Sequence, residues 1–319
     1  MSEALLHTLT LMTLVAIHLG LALCLGSAAS QLWLGRTSSS SPMPWQKRTG
    51  EQGLALRRTG LAIGLLGILA AAWVEAAIMG DTGFLSAGTT LVTLLSRSHF
   101  GHAWLLGLGA WLVGGLLLLN ARPTGEYGRP LVAGLAAMAT FALTRSAVSH
   151  AGSEGDFTLA VAVDWLHLVL VCLWVGIVAA GAMLKLPDAL SASAERTLAA
   201  RWVALMSSTA TGTLVGIVLT GAFKVWRGWA AVGSFETYVW SAYGQALLVK
   251  LLFVGAAAML GGFNRFVVMP RLLLEAGSRQ TDASHWRKRL ILVLRSELLA
   301  LLLVLVAAAF LSTTELPGS

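Results

Sequence analysis

Apolar residues run along this chain in long unbroken blocks, separated by short polar stretches rich in Arg and Lys. Eight blocks are read, over roughly 5–34, 59–80, 102–120, 131–150, 158–186, 202–225, 244–264 and 289–312, each near the ~20 residues that cross a ~30 Å hydrocarbon layer. The pattern predicts an all-α, polytopic membrane helical bundle of about eight transmembrane helices. A β-barrel would need alternating segments of ~10 residues instead. The first block, Leu5 to Leu34, is too long for a signal-peptide core and has no basic residue before it, so it reads as a retained span.

Composition agrees. The 319 residues are 56% hydrophobic and only 12% charged, against about a quarter charged in an ordinary soluble protein. The seven prolines (42, 44, 123, 130, 187, 270, 317) fall between blocks or at the tail, which predicts continuous spans. Cys24 and Cys172 both lie inside apolar blocks, so neither a disulfide framework nor a zinc-knuckle spacing is indicated.

The net charge of +7 is distributed as a topology signal. One set of connections holds Arg36, Lys47, Arg48, Arg57, Arg58, Arg122 and Arg129, then Lys185, Arg196, Arg201, Arg265, Arg271, Arg279, Arg287, Lys288 and Arg289. The other set holds little beyond Arg97, Lys224 and Arg227. The positive-inside rule makes the first set cytoplasmic and puts both termini outside, in the periplasm of a bacterial inner membrane. Anionic lipid, and no nucleic acid, is the partner this charge implies.

An internal repeat is suggested. "FGHAWLL" at Phe100 and "YGQALLV" at Tyr243 open the third and seventh spans, and "HLGLALC" at His18 matches "HLVLVC" at His167. Each pair is four spans apart, as a parallel four-plus-four duplication requires. The halves are residues 1–150 and 151–319, the second carrying the sharper motifs. Gly60/Gly64 and Gly212/Gly216 have the spacing of ordinary helix packing.

The chemistry centres on "VDWLHLVLVCLWVG", Val163 to Gly176. Asp164, His167 and Trp174 share one helical stripe, while Cys172 points well away from His167. His167 lies about ten residues, roughly 15 Å, into its span, and His18 is similarly deep. His99 and His102 share a face, and His150 ends the span before Asp164. Imidazole is the commonest metal-binding side chain and suits copper, zinc and iron, and a nearby carboxylate can orient the ring. An ionisable group inside a membrane is costly and is by default a functional candidate. On depth and the acidic neighbour, His150 and His167 read as metal ligands; His18, His99 and His102 stand open between ligand and interfacial residue. His7 and His285 read as interfacial hydrogen-bonding residues.

Glu75, Arg145, Asp164 and Lys250 all belong in the outer half. They either line one cavity with the histidines or pair only for structure. Arg295 and Glu297 are placed near the cytoplasmic end, where Arg can snorkel. Met12, Met79, Met138 and Met183 form no dense array and read as packing. No Walker A loop, Rossmann fingerprint or nucleophile elbow stands in a credible context, and an enzyme is not indicated.

The residues resemble the copper resistance D (CopD) family of bacterial inner-membrane proteins. The matching stretches are "SHAG" at Ser149–Gly152, "DWLHLVLVCLWVG" at Asp164–Gly176, "LTGAF" at Leu219–Phe223, "YGQALLVKLLFV" at Tyr243–Val254 and "GGFNRF" at Gly261–Phe266. Where the family commonly shows Gly-His-Ala, this chain has Ser149-His150-Ala151. The resemblance covers the second half well and the first half in layout. It implies copper as the cargo, carried from periplasm to cytoplasm, often with a periplasmic copper-binding partner. It supports His150, Asp164, His167, Trp174 and Lys250 as motif positions without saying which touch metal.

Three functions remain in view. The first is a membrane protein that takes copper at an outer cluster of His150, His167, His18, His99 and His102 and moves it inward, supported by Asp164, Glu75, Trp174, Lys250 and Arg145. The second is an electron-transfer protein with haem held between His18 and His167. The third is a docking or assembly subunit that binds copper without transporting it.

Overall fold

The computed structural model describes residues 3–36, 44–81, 84–121, 128–183, 193–277 and 284–315. Arg122, Lys185, Arg279, Pro42, Pro123, Pro187 and Pro317 lie outside the described residues. The helices are α1 (Glu3–Arg36), α2 (Pro44–Met79), α3 (Gly88–Arg97), α4 (His99–Asn120), α5 (Arg129–Ala147), α6 (Leu159–Met183), α7 (Ser193–Val232), α8 (Phe235–Trp240), α9 (Ala242–Phe263), α10 (Met269–Gly277) and α11 (Ser284–Thr313). Eight helical stretches among them are long and apolar enough to cross a membrane. The all-α polytopic bundle expected from the hydropathy pattern is what forms.

Several boundaries differ from the expected spans, among them both ends of α7, which runs Ser193–Val232 rather than 202–225. Helix α2 starts at Pro44, well before residue 59, because the basic segment ahead of the apolar block is made of good helix formers opened by a proline. Helix α5 stops at Ala147, and His150 begins a separate 3-10 turn, His150–Glu154. Past α9 the chain stays helical through a π-helical turn, Asn264–Val268, into α10, so Pro270 sits inside a helical stretch rather than in a connection. The Met269 amide donates to the Asn264 carbonyl, five residues back. Proline lacks the N–H of the ordinary ladder, and a π-helical turn is a recognised way to absorb such an interruption.

Helices α1 and α6 form the centre. Helix α1 packs most extensively on α2 and then on α6, α6 packs on α7, α4 on α5, and α9 on α11. The two central helices cross where Gly26 meets Gly176, close enough that a Cβ on either glycine would overlap backbone of the other helix. Cys24 and Cys172 are fully buried free thiols. Tryptophan indoles tie helices to one another: Trp104 Nε1 donates to the Ile68 carbonyl (3.1 Å) and Trp165 Nε1 to the Ala139 carbonyl (2.9 Å). The outward faces are apolar, as on α9, where Leu248, Leu251 and Leu252 are exposed. Lipid is the natural cover for such a surface.

The two glycine pairs behave differently. Gly60 and Gly64 meet the Gly20 backbone, Leu23 and Trp111, and Gly216 lies against Leu170, whereas a Cβ at Gly212 would have nothing within 4 Å among the described residues. Gly212 therefore makes no packing contact with the described residues. Gly212→Ala is expected to leave the fold intact and to gain up to about 1 kcal/mol of helix propensity. A fall in thermal midpoint on Gly212→Ala would show that something packs there.

The openings of α4 and α9 are alike. Ser98 caps α4 by accepting from the Gly101 amide (2.9 Å), and Ser241 caps α9 by accepting from the Gly244 amide (3.0 Å). A short helix, α3 or α8, precedes each. Gly101 and Gly244 are both pressed against the carbonyls of that short helix, where a side chain has no room.

Candidate metal and charge site

Helix α6 presents its polar residues to α7. The Asp164 Oδ1 pairs with Lys224 Nζ, and Ser149 Oγ, which donates to the Ser146 carbonyl at 2.8 Å, lies 3.4 Å from Asp164 Oδ2. One turn further along α6, His167 Nδ1 lies 2.8 Å from Thr220 Oγ1. The Thr220 hydroxyl also lies 2.7 Å from the Gly216 carbonyl, and when it donates there it accepts from the imidazole. In that arrangement Nδ1 carries the proton, and the Ile217 carbonyl of the same α7 turn is a further partner of the ring. A neutral ring protonated at Nδ1 keeps its lone pair on Nε2, the form in which histidine binds metal. Gly221 lies against the ring: a Cβ there would meet His167 Cε1 at 3.5 Å, an ordinary van der Waals contact.

The other intramembrane charges gather around this pair. His18 on α1 is within electrostatic reach of Arg145, Asp164 and Lys250. Lys250 on α9 in turn feels Lys224 and Asp164, and Arg145 on α5 feels Glu75 on α2. Residues from α1, α2, α5, α6, α7 and α9 thus form one electrostatic group, with Lys224 joining those singled out by sequence. It holds three cations (Arg145, Lys224, Lys250) against two carboxylates (Glu75, Asp164) and two imidazoles.

The remaining predicted ligands stand apart. His99 Nε2 pairs with Asp156 Oδ2 at 2.9 Å, and His102 and His150 are exposed. That pair, with Arg227 on Glu154 (2.8 Å), pins the connection between α5 and α6 to α4 and α7. Among the described residues, no group of three or more His, Cys, Asp or Glu converges on a point that could hold a metal ion.

Trp174 is on the predicted stripe but serves another partner. It is buried and hydrogen-bonds Glu297 of α11, whose carboxylate also rests on Gly261 of α9. Glu297 is 3% exposed while Arg295 is exposed, so Glu297 lies in the core of the bundle and is not an interfacial partner of Arg295. Cys172 Sγ contacts the His18 carbonyl oxygen at 3.6 Å, on the α1 side. His7 packs edge-on to Phe310.

Sequence reasoning missed Thr220. The available signal was a hydroxyl on α7 four residues before Lys224, on the face that meets Asp164. It also counted Arg57 with the connection cations, although Arg57 is 2% exposed inside the bundle.

A bundle with eight apolar spans and an ionisable seam beside its central helices is the architecture of a multi-pass membrane protein. Residues 200–311, from within α7 to within α11, match the family model of copper resistance protein D (CopD), so that region is similar to this family. The matched stretch contains Thr220, Lys224 and Lys250; His18, Asp164 and His167 precede it. No curated protein and no solved structure matches the chain.

Proposed function

We propose that this protein takes up copper at the end of the bundle bearing the two termini and moves it inward along the seam between α1, α6 and α7. The observation that carries this reading is His167. Its Nδ1 is held by Thr220, and the tautomer with the proton on Nδ1 leaves Nε2 for a soft or borderline metal inside the span. Copper here is the cargo. His167 and His18 are the intramembrane ligands of this reading, with His150, His99 and His102 as surface histidines where copper first lands. Asp164, Glu75, Lys250 and Arg145 set the field around them, and Trp174 supports α6. The basic connections put the terminus-bearing end in the periplasm, where a copper-binding protein can deliver the ion. The alike openings of α4 and α9 support a duplication of 1–150 and 151–319, which makes His18 and His167 counterparts.

The charge balance favours Cu(I). With three cations facing two carboxylates, a monovalent ion meets half the repulsion that a divalent ion meets at the same distance. A seam without a three-ligand cluster also suits an ion that accepts few ligands. Haem held between His18 and His167 is the second reading, and the same test separates it from copper.

The test is metal analysis of purified protein together with Cu(I) uptake into sealed proteoliposomes. Wild type should bind copper, lack a Soret band and load the vesicles. His167→Ala should weaken binding by at least about tenfold, and Thr220→Val by about tenfold through loss of the ring's orienting partner. Unchanged binding in His167→Ala would remove that residue from the ligands. Binding without uptake would replace transport by docking, and a Soret band would replace copper by haem.

A further inference from the structure

The guanidinium of Arg57 lies in the opposite half of the bundle from His167, between α1, α2 and the end of α4. Its side chain is 2% exposed. Its Nε donates to Ser27 Oγ (3.3 Å), Nη1 to the Leu118 carbonyl (2.5 Å), and Nη2 to Gln31 Oε1 (2.6 Å) and the Ser27 carbonyl (3.5 Å). Every one of these acceptors is neutral. Among the described residues no carboxylate pairs with it, and Cys24 is the titratable neighbour it feels. Leu118 is in the last turn of α4, whose dipole offers a partial negative charge, less than the full charge to be balanced. A guanidinium has five N–H donors in a planar fork, and Nη1 has one left over.

A cavity of about 10 Å³ opens beside it, lined by Arg57, Ser27, Ser30, Gln31, Thr49 and Gly53 among others. Ser30 is 1% exposed, and its Oγ has no hydrogen-bond partner. A buried hydroxyl left without a partner is costly, and a buried cation without a counter-charge more so. Both costs fall on the walls of one cavity, which has room for about one water-sized particle.

We propose that this cavity is a binding site for one small monovalent inorganic anion, of the chloride class, held by the Arg57 guanidinium and the Ser30 hydroxyl. The anion neutralises the buried cation, satisfies Ser30 and ties α1 to α2 in this half of the bundle. The site is separate from the His167 seam and does not depend on the copper reading.

The probe is chloride itself. Thermal unfolding of the full-length protein in detergent is followed in sodium chloride and in sodium gluconate at equal ionic strength, without copper. The midpoint of wild type is expected to be higher in chloride by on the order of 3 °C. Ser30→Ala should melt no lower than wild type in gluconate, because without the anion its hydroxyl makes no bond, and it should lose at least half of the chloride increment. Arg57→Met should show no chloride increment. Should Arg57→Met fail to fold, Ser30→Ala and the wild-type salt comparison decide the question. Equal melting of wild type in the two salts overturns the proposal, and so does a full chloride increment in either variant.

Discussion

Gly176→Leu is expected to yield no folded, monodisperse protein. A Cβ at Gly176 would overlap the Ala22 carbonyl oxygen and lie 2.7 Å from the Gly26 amide nitrogen. Those atoms are main chain of α1, so no rotamer change relieves the clash. The only relief is to separate α1 from α6, the two helices on which the rest of the bundle packs. Overpacking a core costs typically about 1–3 kcal/mol when side chains can yield. Here the yielding element is a whole helix, and the cost exceeds that range. Size-exclusion chromatography and thermal unfolding in detergent check it, with Gly212→Leu as the control on a face that has none of the described residues within 4 Å. A Gly176→Leu protein that elutes and melts like wild type would mean that α1 and α6 do not cross at these glycines.

Asp164→Ala is expected to be the most damaging single change among the seam charges. Asp164 pairs with Lys224 and also faces His167, Lys250 and His18. Its removal leaves Lys224 and Lys250 facing each other with no anion between them. Breaking a fully buried pair costs about 3–5 kcal/mol. The Lys224 side chain is 40% exposed, so water takes back part of this, and about 1–3 kcal/mol remains. Lys224→Ala should cost less, because Asp164 keeps Lys250. The double variant should recover part of the Asp164→Ala loss, since one of the two stranded cations is gone. A double-mutant cycle read by unfolding measures the coupling. Equal and additive losses for the two single variants would show that the pair is not formed in the folded protein.

The spans, and the residue types that mark them, were legible because a membrane core demands long apolar runs and closed backbone hydrogen bonds. The grouping of Glu75, Arg145, Asp164 and Lys250 followed from depth, since a charge in lipid has few places to go. Partners were less legible. Trp174 lies seven residues after His167, so its stripe was correct, but two turns deeper the neighbouring helix is α11 and its partner is Glu297. Helical periodicity gives direction around one helix and says nothing of which helix occupies that direction. Arg57 shows the same limit. Beside Arg58 it reads as a connection cation, yet the packing of α1, α2 and α4 encloses it.

Order along the chain thus settles what depends on each segment and its solvent: the eight apolar spans and the face of its own helix on which each residue projects. Helix against helix settles the rest. Lipid gives an apolar helix no reason to prefer one neighbour over another, so the choice falls to close contacts such as Gly26 on Gly176 and to hydrogen bonds such as His167 to Thr220. Those contacts join residues 150 and 53 positions apart in the chain, a distance over which no local pattern carries information.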